Sequence, residues 1–304
     1  MRLPTRHPII FGEVLYDVFP DGNQMLGGAP FNVAWHLQGF GLKPLLVSRI
    51  GQDSAGHRLL NTLSNANISP RTIQKDSRYP TGVVQVFAQQ DRVRFEIPEK
   101  QAYDFIDMDQ AVTSLFNVSC HLLYHGTLAL RNSISHSTWQ TLTKTLNVPI
   151  FCDLNLRAPW WDRSLLELCL KTATWLKVNE SEMLTIEPRF GKGNQDSILE
   201  SLCQRYRLEL VVVTLGERGA LLKRPGRPLV SHTPSSDVQV VDTVGAGDAI
   251  SAMLIAGLLF KWSDNLMLQR AVHFAAQVCQ LQGATTADWK FYQAITSSWG
   301  PQII

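Results

Sequence analysis

Two short stretches carry residue types able to do chemistry on a phosphate and on an alcohol. The first is Gly245-Ala246-Gly247-Asp248. A Gly-Ala-Gly turn leading into an apolar helical run presents backbone N–H groups with no bulky side chain in the way. The helix N-terminus adds partial positive charge, so the turn suits an anion. Asp248 falls in the first helical turn, where a carboxylate can take a proton from a hydroxyl lying beside a bound phosphate. The plain alternative is a tight glycine turn with Asp248 as a helix cap, and the motif alone fits both.

The second stretch is Gly27-Gly28-Ala29-Pro30-Phe31-Asn32-Val33-Ala34. Paired glycines let the backbone approach a ligand closely, and Asn32 brings donors and an acceptor to a helix start, which suits a polyol. A strand-to-helix turn capped by Asn32 is the plain alternative. Upstream, Glu13 and Asp17 follow the first apolar run. Carboxylates just past strand C-termini in an open α/β sheet face its ligand crevice.

Other chemistries are disfavoured. No G-x-x-x-x-G-K-[ST] occurs, since Gly191-Lys192-Gly193 has the wrong spacing and successor. Ile250 stands where a dinucleotide fingerprint needs its third glycine, which weakens a nicotinamide dehydrogenase. The five cysteines are scattered without a C-x-x-C pair, and the eight histidines show no H-E-x-x-H spacing. Neither set reads as a metal site, and free scattered thiols fit a reducing cytoplasm. Trp160-Trp161 fits a packed loop better than a sugar-stacking platform, and Cys279 reads as a small buried hydrophobe.

The elements that must position these residues alternate along the chain. Short apolar runs at 9–11, 45–50, 121–124, 149–152, 175–178 and 210–215 read as strands, several continuous enough to be buried on both faces of a parallel sheet. Helical periodicity falls at 31–37, 56–65, 109–116, 133–146, 165–172 and 194–206. This repetition predicts a doubly wound α/β core. Three further helices are expected at 250–260, 266–281 and 288–297. Residues 81–88 and 92–98, joined by 89–91, read as a β-hairpin outside that rhythm, fitting either a flap over a cleft or an edge hairpin.

With 304 residues, 45% hydrophobic and 18% charged, the chain is globular in composition, and at roughly 100–200 residues per domain it has room for one large domain or two. A net charge of +2 without basic or acidic blocks points away from nucleic acid and membrane surfaces. No apolar run is long enough to span a bilayer, and the N-terminus lacks a signal-peptide pattern. A cytoplasmic location is expected.

The two glycine motifs, near opposite ends of the chain, resemble the paired signatures of the ribokinase-like (PfkB family) sugar kinases. Intermediate stretches match in the same order: Gly51-Gln52-Asp53-Ser54-Ala55-Gly56, Asp153-Leu154-Asn155-Leu156-Arg157, Asn179-Glu180-Ser181-Glu182 and Thr214-Leu215-Gly216-Glu217-Arg218-Gly219. The resemblance covers nearly the whole chain. It implies one ribokinase-like domain over residues 1–304, with a mostly parallel sheet flanked by helices and a discontinuous β-sheet lid formed by about 13–30 and 79–103.

The resemblance also implies roles. Asp248 is the base, and Gly245, Ala246 and Gly247 form the anion hole. Asp17, Gly28 and Asn32 bind sugar hydroxyls, with Glu13 and Arg157 as neighbours. Thr214, Gly216, Gly219 and Thr243 belong to the nucleotide side. Asn179 and Glu182 organise Mg²⁺ and phosphate through water, and Asp242 lies where many relatives bind a monovalent cation such as K⁺. The implied reaction moves the γ-phosphoryl of ATP to a sugar hydroxyl, with Mg²⁺.

The Gly12-Glu13 and Gly27–Ala34 patterns are most similar to bacterial fructokinases. Ribose, 2-keto-3-deoxygluconate, nucleosides and sugar phosphates are the alternative acceptors; a phosphosugar calls for extra cations near the lid, for which Arg92 and Arg94 are candidates. A catalytically silent sugar- or nucleotide-binding regulator is the rival from another class, and an intact Asp248 argues against it. A homodimer through the lid is compatible with this reading.

Overall fold

The structure is a computed structural model that describes residues 6–89, 92–235 and 239–299. Residues 90 and 91, expected in the hairpin turn, residues 1–5, read against a signal peptide, and the side chain of Arg92 lie outside the described residues. In chain order the strands are β1 (Arg6–Phe11), β2 (Leu15–Val18), β3 (Gln24–Gly27), β4 (Leu45–Gly51), β5 (Ile73–Asp76), β6 (Gly82–Gln89), β7 (Arg92–Glu96), β8 (Ser119–His125), β9 (Ile150–Asp153), β10 (Trp175–Asn179), β11 (Leu210–Thr214), β12 (Ala220–Lys223) and β13 (Val230–His232). The α-helices are α1 (Ala29–Gly39), α2 (Ser54–Asn65), α3 (Met108–Ser114), α4 (Ser133–Thr145), α5 (Arg163–Thr172), α6 (Glu180–Ile186), α7 (Gln195–Tyr206), α8 (Ala246–Leu259), α9 (Asp264–Val278) and α10 (Trp289–Ser297).

Nine strands form one sheet in the order β13-β12-β11-β10-β9-β8-β1-β4-β5. The seven from β11 to β5 are parallel, and β12 and β13 add an antiparallel edge. Alternation along β1 shows why helices cover both faces. Ile10 packs with α1, α2, α8, α9 and α10, whereas Ile9 and Phe11 pack with α3 to α7. Val211, Val212 and Val213 are all fully buried, as a strand sealed on both sides requires. The doubly wound core expected from the sequence is therefore present.

The chain runs outward from β1 through β4 to β5, then returns to place β8 on the other flank of β1. That reversal is a topological switch point, where open α/β sheets hold ligands beyond the strand C-termini. Glu13, Gly126, Asp153, Asn179 and Thr214 lie at or just past the C-terminal ends of β1, β8, β9, β10 and β11.

A second, four-stranded sheet has the order β3-β2-β6-β7. Its outer pairs are antiparallel, while β2 and β6 run parallel. The Gly51–Gly56 stretch ties it to the core. Asp53 caps α2 through Gly56 N and accepts from Thr81 N and Oγ1 at 2.8 and 2.7 Å, just before β6 begins. Strands β2, β3, β5, β12 and β13 and helix α6 were not individually expected. Helix α8 starts at Ala246 rather than 250 because the glycine turn is itself the first helical turn.

Among the described residues no helix is long and apolar enough to cross a membrane.

Candidate active site

The two glycine motifs meet. Asn32 Nδ2 donates to Asp248 Oδ2 at 2.8 Å across 216 residues of sequence. The helix starts remove the capping half of each plain alternative, while the glycine turns themselves stand. Asn32 lies inside α1, whose N-cap is Gly28 without any side-chain cap, and α8 is capped by Gly245, also without one. Neither side chain serves its own helix end.

Backbone geometry explains the glycines. Gly28 has φ 101°, and a Cβ there would lie 2.8 Å from the Glu13 carbonyl oxygen. Gly245 has φ 80°, and a Cβ would come within 2.3 Å of Ala284. Any larger residue would push α1 away from the β1 end or α8 away from its neighbour. A Cβ on Gly247 would sit 3.0 Å from Lys177 Nζ.

Lys177, which the sequence reading missed, is the cation beneath the turn. It is buried, and its Nζ donates to both oxygens of Asp153 at 3.0 Å. Ser251 Oγ donates to Asp153 Oδ2 at 2.7 Å, and the Tyr124 hydroxyl lies 3.5 Å from the same oxygen. Despite burial, Asp153, Glu182 and Asp248 hold the Lys177 ammonium above its ordinary pKa, so it stays charged. A lysine inside the apolar run 175–178 was the only available sequence signal.

Glu182 and Asn179 form a reciprocal capping box at the start of α6. Glu182 Oε2 accepts from Asn179 N and Oε1 from Leu156 N, at 2.8 and 2.7 Å. Burial pushes its carboxyl above the usual range. Asp242 is similarly engaged: Oδ1 accepts from Val244 N and Oδ2 from Gly283 N. Thr214 pairs in register with Asn179, and Gly216 and Gly219 bound the turn leading into β12. Thr243 is exposed just before the glycine turn, and its carbonyl accepts from Ala246 N at 3.3 Å.

On the side of the Gly27–Ala34 motif, Asp17 lies on β2, in register with Met25 on β3. Burial pushes its carboxyl up to about 6, opposed by Arg157. Glu13 is only 3% exposed. Burial raises it to about 7 against its backbone hydrogen bond and Arg157, and Asp248 pushes the same way as burial. Asp248 itself is raised to about 6, chiefly by burial, with Asn32 opposing, so it is not an ordinary low-pKa aspartate. Arg157 is exposed, yet its charge acts on Glu13, Asp17 and Asp248 together. The Trp160 ring is stacked by the Arg131 guanidinium at 4.4 Å, which favours its packed-loop reading.

Near these carboxyls, four buried polar atoms make no hydrogen bond of ordinary geometry within the protein: Glu13 Oε2, Asn32 Oδ1, Tyr103 Oη and Arg131 Nη1. Buried groups of this kind are normally satisfied, so the set fits a ligand rich in hydroxyls. Tyr103 and Arg131 were not foreseen, because nothing in their sequence neighbourhood marks them. The scattered histidine and cysteines also hide one proximity: ligand atoms of His125, Cys152 and Cys169 lie within 4.8 Å of one another, all buried.

Comparison with known proteins agrees with this geometry. Residues 12–290 match the pfkB family of carbohydrate kinases. A fructokinase of Klebsiella pneumoniae is 29% identical over 293 residues, spanning 91% of this chain and 92% of that protein. The crystal structure of a sugar kinase from Pyrococcus horikoshii in complex with ATP superposes with a TM-score of 0.76 at 27% identity, covering 91% and 93% of the two chains. A fructokinase of Vibrio cholerae, crystallised with fructose, ADP and calcium, shares the fold with a TM-score of 0.78 at 22% identity over 96% and 99%.

Proposed function

The chain belongs to the pfkB family of carbohydrate kinases, and from that premise we propose that it transfers the γ-phosphoryl of ATP to a hydroxyl of an unphosphorylated sugar, with fructose as the favoured acceptor. The observation that carries this reading is the Asn32–Asp248 hydrogen bond, which joins a sugar-binding motif to an anion-binding one. ATP is supported by the ATP complex of the Pyrococcus relative, and fructose by the Klebsiella relative.

Asp248 Oδ2 is held by Asn32, which leaves Oδ1 to accept the proton of the sugar hydroxyl as the new O–P bond forms. Its carboxyl, raised to about 6, is still ionised at neutral pH and is a better base than an ordinary aspartate. The N–H groups of Gly245 and Gly247, joined by that of Ala246 once it turns from its long contact with the Thr243 carbonyl, and Lys177 beneath them would oppose charge on the phosphoryl oxygens. Phosphoryl transfer has a loose transition state, so positioning and charge stabilisation supply most of the catalysis.

When bound, Mg²⁺ would supply further neutralisation of the phosphate oxygens. Both Glu182 oxygens already accept backbone N–H groups, so this carboxylate fits contact with a hydrated ion better than direct ligation. With the Asp242 oxygens likewise engaged, K⁺ in that region would be met by backbone carbonyls. The second sheet would act as a lid that excludes water as a competing acceptor, hinged where Asp53 holds Thr81.

The test is ADP release across fructose, ribose, 2-keto-3-deoxygluconate, nucleosides and sugar phosphates. Fructose should stimulate release far above a blank without sugar. No stimulation by fructose would end the fructokinase assignment, and none by any acceptor would end the kinase assignment.

A further inference from the structure

We propose that Glu13, Tyr103 and Arg131 form a distal subsite of the acceptor pocket that hydrogen-bonds a neutral hydroxyl at the end of the sugar away from the phosphorylated one, and that this subsite selects uncharged sugars over sugar acids and sugar phosphates. The inference rests on the sugar-kinase reading and goes beyond it, since neither Tyr103 nor Arg131 belongs to the motifs that carried that reading.

Three buried atoms make the case. Tyr103 is fully buried, and its hydroxyl has no hydrogen-bond partner of ordinary geometry, with the Arg131 guanidinium beside it as the one side chain in reach of a weak contact. Arg131 is bound on two of its nitrogens: Nε and Nη2 grip Asp104 at 2.7 and 2.8 Å, and Nη2 also reaches the Pro98 carbonyl at 2.6 Å. Its remaining nitrogen, Nη1, is buried and unpaired. Glu13 Oε2 is the third such atom. The side chains share one locality: the Arg131 guanidinium lies 5.3 Å from the Tyr103 ring centroid, and the charges of Arg131 and Glu13 act on Tyr103. Arg131 and Glu13 likewise act on each other, yet no ion pair joins them. A buried acid and a buried guanidinium that feel each other's charge often close on one another. Here Asp104 and the Trp160 ring hold the guanidinium in place.

A donor on Arg131, an acceptor on Glu13 and a hydroxyl able to do either match what an alcohol O–H presents. Charge then decides among acceptors. Arg131 is neutralised by Asp104. The rest of the site holds the carboxyls of Glu13, Asp17 and Asp248 against Arg157, since the other cation nearby, Lys177, is already paired with Asp153. A carboxylate or phosphate on the acceptor would enter a pocket with no surplus positive charge, at a desolvation cost no partner offsets. A site built to hydrogen-bond a hydroxyl also rejects an analogue lacking it, because its own buried groups stay unpaired.

The test pairs Tyr103→Phe with single-deoxy analogues of the best sugar acceptor. Phenylalanine fills the same volume, and far-UV circular dichroism with a thermal melt checks that the variant folds. The expected result is a kcat/KM loss of about ten-fold, the size of one neutral hydrogen bond, carried by KM with kcat nearly unchanged. One deoxy analogue should cost wild type a similar factor, and that analogue should lose nothing further in Tyr103→Phe. If every deoxy analogue costs the variant as much as it costs wild type, Tyr103 does not touch the acceptor and the subsite is wrong. Preference for a sugar acid or sugar phosphate over neutral sugars would also overturn it. Both failures leave phosphorylation intact, whereas a failure of the kinase reading removes ADP release with every sugar.

Discussion

At the phosphate end of the cleft the buried charges are satisfied by the protein itself. Lys177 holds Asp153, Ser251 caps the same carboxylate, and Glu182 and Asp242 each accept two backbone N–H groups. At the acceptor end, Glu13, Asn32, Tyr103 and Arg131 each keep a buried polar atom with no hydrogen bond of ordinary geometry to the protein. The first region is a finished cradle, made of backbone and braced by ion pairs. The second, in the function proposed above, is a socket whose hydrogen bonds a sugar would complete. A phosphate is the same group in every turnover, so it can be met by fixed backbone. The sugar is what one kinase must tell from another, so side chains meet it.

Substitutions should therefore fail differently at the two ends. The largest effect is expected where they touch. Asp248→Asn should lower kcat by about 10²–10⁴-fold, the usual contribution of a positioned base, while ATP affinity measured by calorimetric titration stays close to wild type. Turnover near normal would show that Asp248 is not the base.

At the finished end, Lys177→Met leaves Asp153 buried without its partner. Breaking a buried pair from one side costs about 3–5 kcal/mol, which urea unfolding will register as a lowered midpoint. At the open end, Glu13→Gln removes no protein partner of the freed oxygen. Its stability should match or exceed wild type, while KM for the sugar rises several-fold. Equal stability losses in both variants would erase the contrast between the regions.

A smaller effect concerns pH. Asp248 must be ionised to act, and its carboxyl is raised to about 6. That value belongs to the protein without substrates and so governs kcat/KM, which should hold above it and fall about ten-fold per unit for each group protonated as pH drops below it. Glu13 at about 7 and Asp17 at about 6 titrate nearby and steepen the same acid limb. A kcat/KM flat down to pH 4 would argue against the raised base.

The same division governs what was legible in the sequence. The cradle is written contiguously: Gly245-Ala246-Gly247-Asp248 needs only a turn and a helix start, and both are local. The strands beneath it could be read because burial on both faces leaves unbroken apolar runs such as Val211-Val212-Val213. The socket draws on β1, β2, α1 and residues near 103, 131 and 157. Glu13, Asp17 and Asn32 fall within one motif region, but Tyr103 and Arg131 become visible only when the chain folds. The raised carboxyl of Asp248 was likewise illegible, because burial is a tertiary property. Lys177 stood in plain view, yet a lysine in an apolar strand carries no meaning until Asp153 is known to face it.

The central claim is that residues 216 apart in sequence form one cleft that moves phosphate onto a neutral sugar. Phosphorus NMR of the protein incubated with ATP, Mg²⁺ and fructose tests it directly. The account predicts loss of the γ-phosphoryl signal with equal gain of ADP and a sugar monoester. ADP with free inorganic phosphate, or no change with fructose and every other neutral sugar, would contradict it.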